Sequence, residues 1–191
     1  MLGQNLFRNL SALANSRYYP LVNPEIDIRY RVPRKTLHKL KVLNVGVGSG
    51  YSGLARQLPF LNFGILTMID VHQQYLDDAK VKTWDAEVVK FIKSDVRDFD
   101  VSGYDLVLMF DVLEHLPKED SLNIMSKITG RQVIFGPLEP SFRKNDFGVK
   151  SQDHLSLWTE EDFSMRGYKT EVLKNFHREE NQVFDALWAI K

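Results

Sequence analysis

A run of apolar residues ending in clustered glycines, Val42-Leu-Asn-Val-Gly46-Val-Gly48-Ser-Gly50, constrains this chain more than any other stretch. Aliphatic residues followed by glycines read as a strand, a tight turn and the start of a helix. Glycine takes φ > 0 without strain and lets ligand atoms come where a Cβ would collide. The next apolar run, 63–69, ends in Asp70. Gly50 and Asp70 stand 20 positions apart, close to the roughly 20-residue separation at which a carboxylate reaches ribose hydroxyls in a βαβ nucleotide site. The pattern predicts a site for an adenosine-containing cofactor. From Gly48 to Gly53 the glycines also satisfy G-x-G-x-x-G, so a nicotinamide-dependent oxidoreductase is a competing reading. Against it, Gly46 already closes the strand, and the dinucleotide turn would begin two residues late.

From Lys41 onward, strand and helix patterns alternate. Strands are expected at 42–45, 64–69, 88–93, 105–110 and 132–135, and helices at 52–58, 73–80 and 118–128, the last with a Leu122, Met125, Ile128 stripe. Such alternation predicts an α/β fold with a parallel sheet covered by helices on both faces. Thr159-Glu-Glu-Asp162 reads as a capping box opening a helix that stops near Gly167. Strand-like runs at 169–173 and 183–190 follow, separated by a charged loop, 175–182, too short for a helical crossover. The last strand should therefore run antiparallel to its predecessor. Before Lys41 the chain differs in kind: Leu2, Leu6, Leu10 and Leu13 recur at helical spacing, and an irregular, partly aromatic stretch follows over 14–36. Residues 1–40 are read as a basic arm and 41–191 as the cofactor-binding domain.

At 191 residues, 43% of them hydrophobic, the chain is of a size to bury one full core. Its 25 Lys/Arg balance 25 Asp/Glu, yet residues 1–41 carry eight basic and two acidic residues, +6 on the arm and −6 on the body. Overall charge thus points to neither nucleic acid nor membrane. With no cysteine, disulfides, thiolate metal sites and cysteine nucleophiles are excluded. The start lacks the apolar core of a secretory signal, and no apolar run reaches the ~18 residues of a membrane span. A soluble, cytoplasmic protein is expected.

Four ordered segments resemble the motifs of class I S-adenosylmethionine-dependent methyltransferases. They are 42–50; Met68-Ile-Asp70; Phe91-Ile-Lys-Ser-Asp95; and Tyr104-Asp-Leu-Val-Leu-Met-Phe-Asp-Val-Leu-Glu-His-Leu116. With the reversed final strand, the resemblance covers about residues 40–191. It implies a Rossmann-like, doubly wound, mostly parallel seven-stranded sheet with an antiparallel C-terminal strand. The implied cofactor is S-adenosyl-L-methionine, and the implied activity is methyl transfer. By this resemblance Gly46, Val47, Gly48 and Gly50 would pass under the methionine part. Asp70, with Val71 beside it, would accept both ribose hydroxyls. Asp95 and the Val96 amide would meet adenine, and Asp111 and Val112 would flank the methyl-transfer end. The family usually has an acid where this chain has Asn44, which keeps a carbonyl acceptor for the cofactor's ammonium group and loses the charge.

A hydroxyl or ammonium acceptor would need a general base, for which His115 and His154 are candidates; neither is assigned. His115 is expected to bond a neighbouring loop. His154 is expected either to line the acceptor pocket or to pack at a helix entry. No metal is expected, since five scattered histidines show no i, i+4 pair. Asp-Val-Leu-Glu stands where amino-methylating nucleic-acid enzymes of the family carry Asn/Asp-Pro-Pro-Tyr/Phe. A small-molecule acceptor is therefore expected, a protein acceptor stays open, and nucleic acid is disfavoured. A non-catalytic protein of the same fold, holding the cofactor or a partner, is the other alternative.

Overall fold

The computed structural model describes residues 39–48, 58, 63–81, 88–140, 150–179 and 182–191, with the side chains of 177–179 and 182 excepted. The expected helices near the N-terminus and at 52–58, and Gly50, lie outside these residues, apart from Leu58.

Seven strands form one mixed sheet in the order β3-β2-β1-β4-β5-β7-β6. They are β1 (Lys41–Val45), β2 (Ile65–Asp70), β3 (Val89–Lys93), β4 (Leu106–Phe110), β5 (Arg131–Leu138), β6 (Lys169–Glu179) and β7 (Gln182–Ile190). The chain divides into two compact units. One comprises the described residues up to Asp100 with Tyr104–Leu106, the other Val101–Gly103 with Val107–Lys191.

In the first unit β1, β2 and β3 pair in parallel. Val42, Leu43, Asn44 and Val45 are all buried, the continuous burial of a parallel strand covered on both faces. The helix α1 (Gln73–Val81) follows β2 and buries Leu76.

In the second unit, β7 pairs antiparallel with both β5 and β6, as the short connection requires. Phe135 and Trp188, facing each other across the β5–β7 ladder, pack at 4.7 Å between ring centroids. The helix α2 (Lys118–Lys127) turns Ser121, Ile124 and Met125 inward, while Leu122 is only half-buried. Of the expected stripe, Met125 and Ile128 are buried, and the inward face extends to Ser121 and Ile124. The Ser121 hydroxyl takes an inward place because it donates to the Leu113 carbonyl at 3.2 Å. The helix α3 (Glu160–Ser164) opens on the expected capping box, in which the Thr159 hydroxyl accepts from the Asp162 amide and the Asp162 carboxylate accepts from the Thr159 amide.

Two segments read as loops are strand. β5 runs on through Leu138, and β6 continues through the charged stretch to Glu179. In β6 an irregularity between Leu173 and His177 absorbs the mismatch. There Asn175 takes φ 54°, and Asp185 accepts from the Asn175 amide (2.9 Å) and the Lys174 ammonium (2.7 Å).

Candidate functional site

β1 runs out into a turn with Gly46 at φ 76° and Gly48 at φ 69°, conformations that glycine adopts without strain. The Gly46 amide donates to the Ile69 carbonyl at 2.9 Å, continuing the β1–β2 ladder into the turn. The amides of Val47 and Gly48 then both donate to Asp70 Oδ2, at 2.8 and 3.1 Å. Asp70 Oδ1 accepts from the His72 amide at 2.8 Å, just before α1 begins. One buried carboxylate thus fixes the glycine turn and the entry to the helix. A carboxylate oxygen has two acceptor sites, so Oδ2 is filled by the two amides and Oδ1 keeps one site for a ligand hydroxyl.

Asn44 is fully buried beneath this turn. Its Nδ2 donates to the Gly46 carbonyl at 3.0 Å. The opposite amide orientation would set two oxygens at that distance, so the hydrogen bond fixes which atom is which. Asn44 Oδ1 then has no donor among the described residues. A buried acceptor in that state costs free energy that a ligand N–H would recover.

Val71, next to Asp70, is apolar yet 42% exposed. At the end of β3, the Ser94 amide donates to the Asp70 carbonyl at 3.0 Å. Asp95 caps a single 3-10 turn, Val96–Asp98, in which Val96 is buried. Its Oδ1 accepts from the amide and Nε of Arg97 at 2.9 and 3.0 Å, and its Oδ2 from the same guanidinium at 2.6 Å. The Arg97 hydrogen bonds hold the Asp95 carboxyl below its usual range, against partial burial, which works the other way. Arg97 did not figure in the sequence reading. The Asp-x-Arg spacing after a strand was its only signal.

In the second unit Asp111 directly follows β4, takes φ 51° and donates its amide to the Phe135 carbonyl at 2.9 Å. Half-buried Val112 leads into a 3-10 turn, Leu113–His115. This turn holds the segment before α3. The Glu114 carbonyl accepts from the amides of Leu155 (2.6 Å) and Ser156 (3.1 Å). Ser156 Oγ donates to the Leu113 carbonyl at 2.9 Å. His115 Nδ1 lies 3.3 Å from the Asp153 carbonyl oxygen, the expected bond to a neighbouring loop. His154 Nδ1 is hydrogen-bonded to the Glu139 carboxylate. The two imidazoles meet edge to face at 4.7 Å. Burial, then the neighbouring His154, lowers the His115 pKa and favours its neutral form. Glu139 also escaped the sequence reading, because Gly136 to Pro140 reads there as a plain loop.

An open parallel sheet with a glycine turn after β1, an acid closing β2 and a reversed β7 defines a Rossmann-like α/β protein with a nucleotide-type site. Residues 42–130 match the family model of a methyltransferase domain. Over that stretch, just under half of its length, the chain is similar to the class I S-adenosylmethionine-dependent methyltransferases.

Solved structures share the fold. Magnesium protoporphyrin IX methyltransferase from Synechocystis, solved with S-adenosylmethionine bound, is 15% identical with TM-score 0.58, over 98% of this chain and 80% of that one. The N-methyltransferase NodS from Bradyrhizobium japonicum is 16% identical with TM-score 0.52, over 87% and 97%. An S-adenosylmethionine-dependent methyltransferase from Mesorhizobium loti is 15% identical with TM-score 0.57, over 85% and 95%. No curated protein matches the chain by sequence. Among the described residues no helix is long and apolar enough to cross a membrane.

Proposed function

We propose that this chain binds S-adenosyl-L-methionine on the β1–β2 turn and transfers its methyl group to a small-molecule acceptor. The observation that carries the proposal is the joint arrangement of Asp70 and Asn44. One carboxylate grips the turn and retains an acceptor site on Oδ1, and a buried amide oxygen below the turn has no donor among the described residues. These residues fit the cofactor: hydroxyl donors suit Asp70, and an ammonium donor suits Asn44 Oδ1. Gly46, Val47 and Gly48 bring main chain close to the methionine portion. Exposed Val71 covers one face of the adenine ring, and Asp95 with the Val96 amide reads its edge. In this role Asp95 exchanges part of its Arg97 pairing for the adenine amino group. Asp111 and Val112, at the carboxyl end of β4, serve the methyl-transfer end.

The bound cofactor supplies an activated sulfonium methyl, so this chain's part is mainly binding and in-line orientation of the acceptor. Small-molecule acceptors are favoured by Asp111-Val-Leu-Glu114, which lacks the prolines of base-amino methylation.

Calorimetric titration with S-adenosylmethionine, S-adenosylhomocysteine and NAD tests the proposal. Micromolar binding of the two sulfur compounds and none of NAD is expected. Asp70→Ala should cost about 1–3 kcal/mol of that affinity through lost charge-assisted hydrogen bonds. Binding of none of the three ligands, or an unchanged affinity in Asp70→Ala, overturns it. Binding without methyl transfer across an acceptor screen would favour the cofactor-holding, non-catalytic reading.

A further inference from the structure

The second unit brings together three side chains that the sequence separates. Glu114 and His115 share the turn after β4, and His154 lies 39 positions beyond His115. Each offers a ligand-capable atom, and these atoms lie within 4.8 Å of one another. Glu114 and His154 are buried, at 3% and 8% exposure, so the cluster is not a solvated surface group of acids.

The hydrogen bonds around the two rings fix their chemistry. A backbone carbonyl only accepts, so His115 carries a proton on Nδ1 toward Asp153. The Glu139 carboxylate likewise draws the His154 proton to Nδ1. With Nδ1 so engaged, Nε2 is the lone-pair atom of each neutral ring. An imidazole whose far nitrogen is anchored by a carboxylate or a backbone carbonyl is the arrangement found behind metal-bound histidines. Two neutral imidazoles and a carboxylate form a donor set for a borderline transition-metal ion, whereas magnesium and calcium prefer all-oxygen sites.

We propose that Glu114, His115 and His154 bind a divalent first-row transition-metal ion, with Glu139 and the Asp153 carbonyl orienting the two imidazoles. Ligand atoms held about 2.1 Å from a common ion stand roughly 3–3.5 Å apart. Binding therefore draws the three ligand atoms together, a movement made by side-chain torsions. Three protein ligands leave coordination positions for water or a bound oxygen group. The proposal goes beyond methyl transfer and does not depend on cofactor binding.

The test uses untagged full-length protein freed of metal by chelator dialysis, titrated with Co²⁺ by visible absorption and with Zn²⁺ and Mg²⁺ by calorimetry. One equivalent of Co²⁺ should develop ligand-field bands that Zn²⁺ displaces and Mg²⁺ does not. His115→Asn, His154→Gln and Glu114→Gln should each abolish the bands or weaken binding at least tenfold. Glu139→Gln, which touches the ion only through His154, should weaken it by about 10–100-fold while keeping the stoichiometry. Near-UV circular dichroism identifies any variant that has lost its fold, and those variants are replaced by the milder Glu139→Gln comparison. Absence of saturable Co²⁺ uptake by the wild-type protein overturns the proposal. So does uptake unchanged in a folded His115→Asn/His154→Gln double variant, which would place the ion elsewhere. Loss of metal binding leaves the S-adenosylmethionine titration unaffected, so the two proposals fail separately.

Discussion

Asn44 shows what one substituted atom does in a buried turn. Its amide nitrogen braces the Gly46 carbonyl while its oxygen has no donor among the described residues. An aspartate there has no hydrogen to give, so Asn44→Asp would turn the brace into a contact between oxygens and bury a charge. We expect the apoprotein to lose about 1–3 kcal/mol in urea unfolding, with much of the loss recovered when S-adenosylmethionine is added, because the ligand's ammonium pairs the new charge. A deficit that the cofactor does not reduce would remove Asn44 from the ammonium site. At this scale the sequence exposed the residues whose meaning is local. Gly46, Gly48 and Asp70 stood out because a strand-end glycine and a strand-end acid have few other uses. Pairings remote in sequence left no such trace: His115 and His154, or His154 and Glu139, meet only because the fold closes on them.

Elements were legible where side-chain periodicity is enforced by burial, and illegible where backbone pairing alone decides. The short helix α3 is the first kind, announced by Thr159 and Asp162. Thr159→Ala should cost about 1 kcal/mol in chemical denaturation through loss of the cap. Asp162 adds a pH dependence. Burial alone would raise its pKa, but hydrogen bonds from Lys118 and Thr159 outweigh this and hold it below the usual range. Its contribution is thus present above the unfolded carboxylate value and lost as pH falls through the folded one. Urea midpoints measured across the acid range should fall less steeply in Lys118→Met than in the wild type. The far half of β6 is the second kind. Lys174 and Asn175 look like loop residues, yet their main chain belongs to the strand, and a positive φ at Asn175 with the shifted register lets polar side chains face solvent.

For the whole molecule, the strand order matters more than the strand count. Alternating strands and helices implied a parallel sheet, and the short link to β7 implied reversal. Neither showed that β7 lies between β5 and β6, because spatial insertion leaves no mark on local pattern. β7 carries Ala186, Leu187, Trp188 and Ala189, all buried, and is the strand to which both neighbours bond. Deleting residues 182–191 should therefore abolish the near-UV signal of the second unit's aromatic core, not merely lower its melting temperature. Alkaline stability is also set in this unit. Burial pushes the Tyr168 phenol well above its ordinary value, and its hydroxyl bonds to Gln132. The unfolded chain ionises near pH 10 while the folded one does not, so stability present below that pH should be lost as it rises further. Tyr168→Phe should blunt the loss in denaturant titrations above neutrality. The central placing of β7 also bears on synthesis. The ribosome completes β5 and β6 before it makes the strand that joins them, so β5 waits with one open edge and β6 with no partner strand, for a chaperone or a neighbouring chain to meet. This sheet closes only when a later-made strand slides between two older ones.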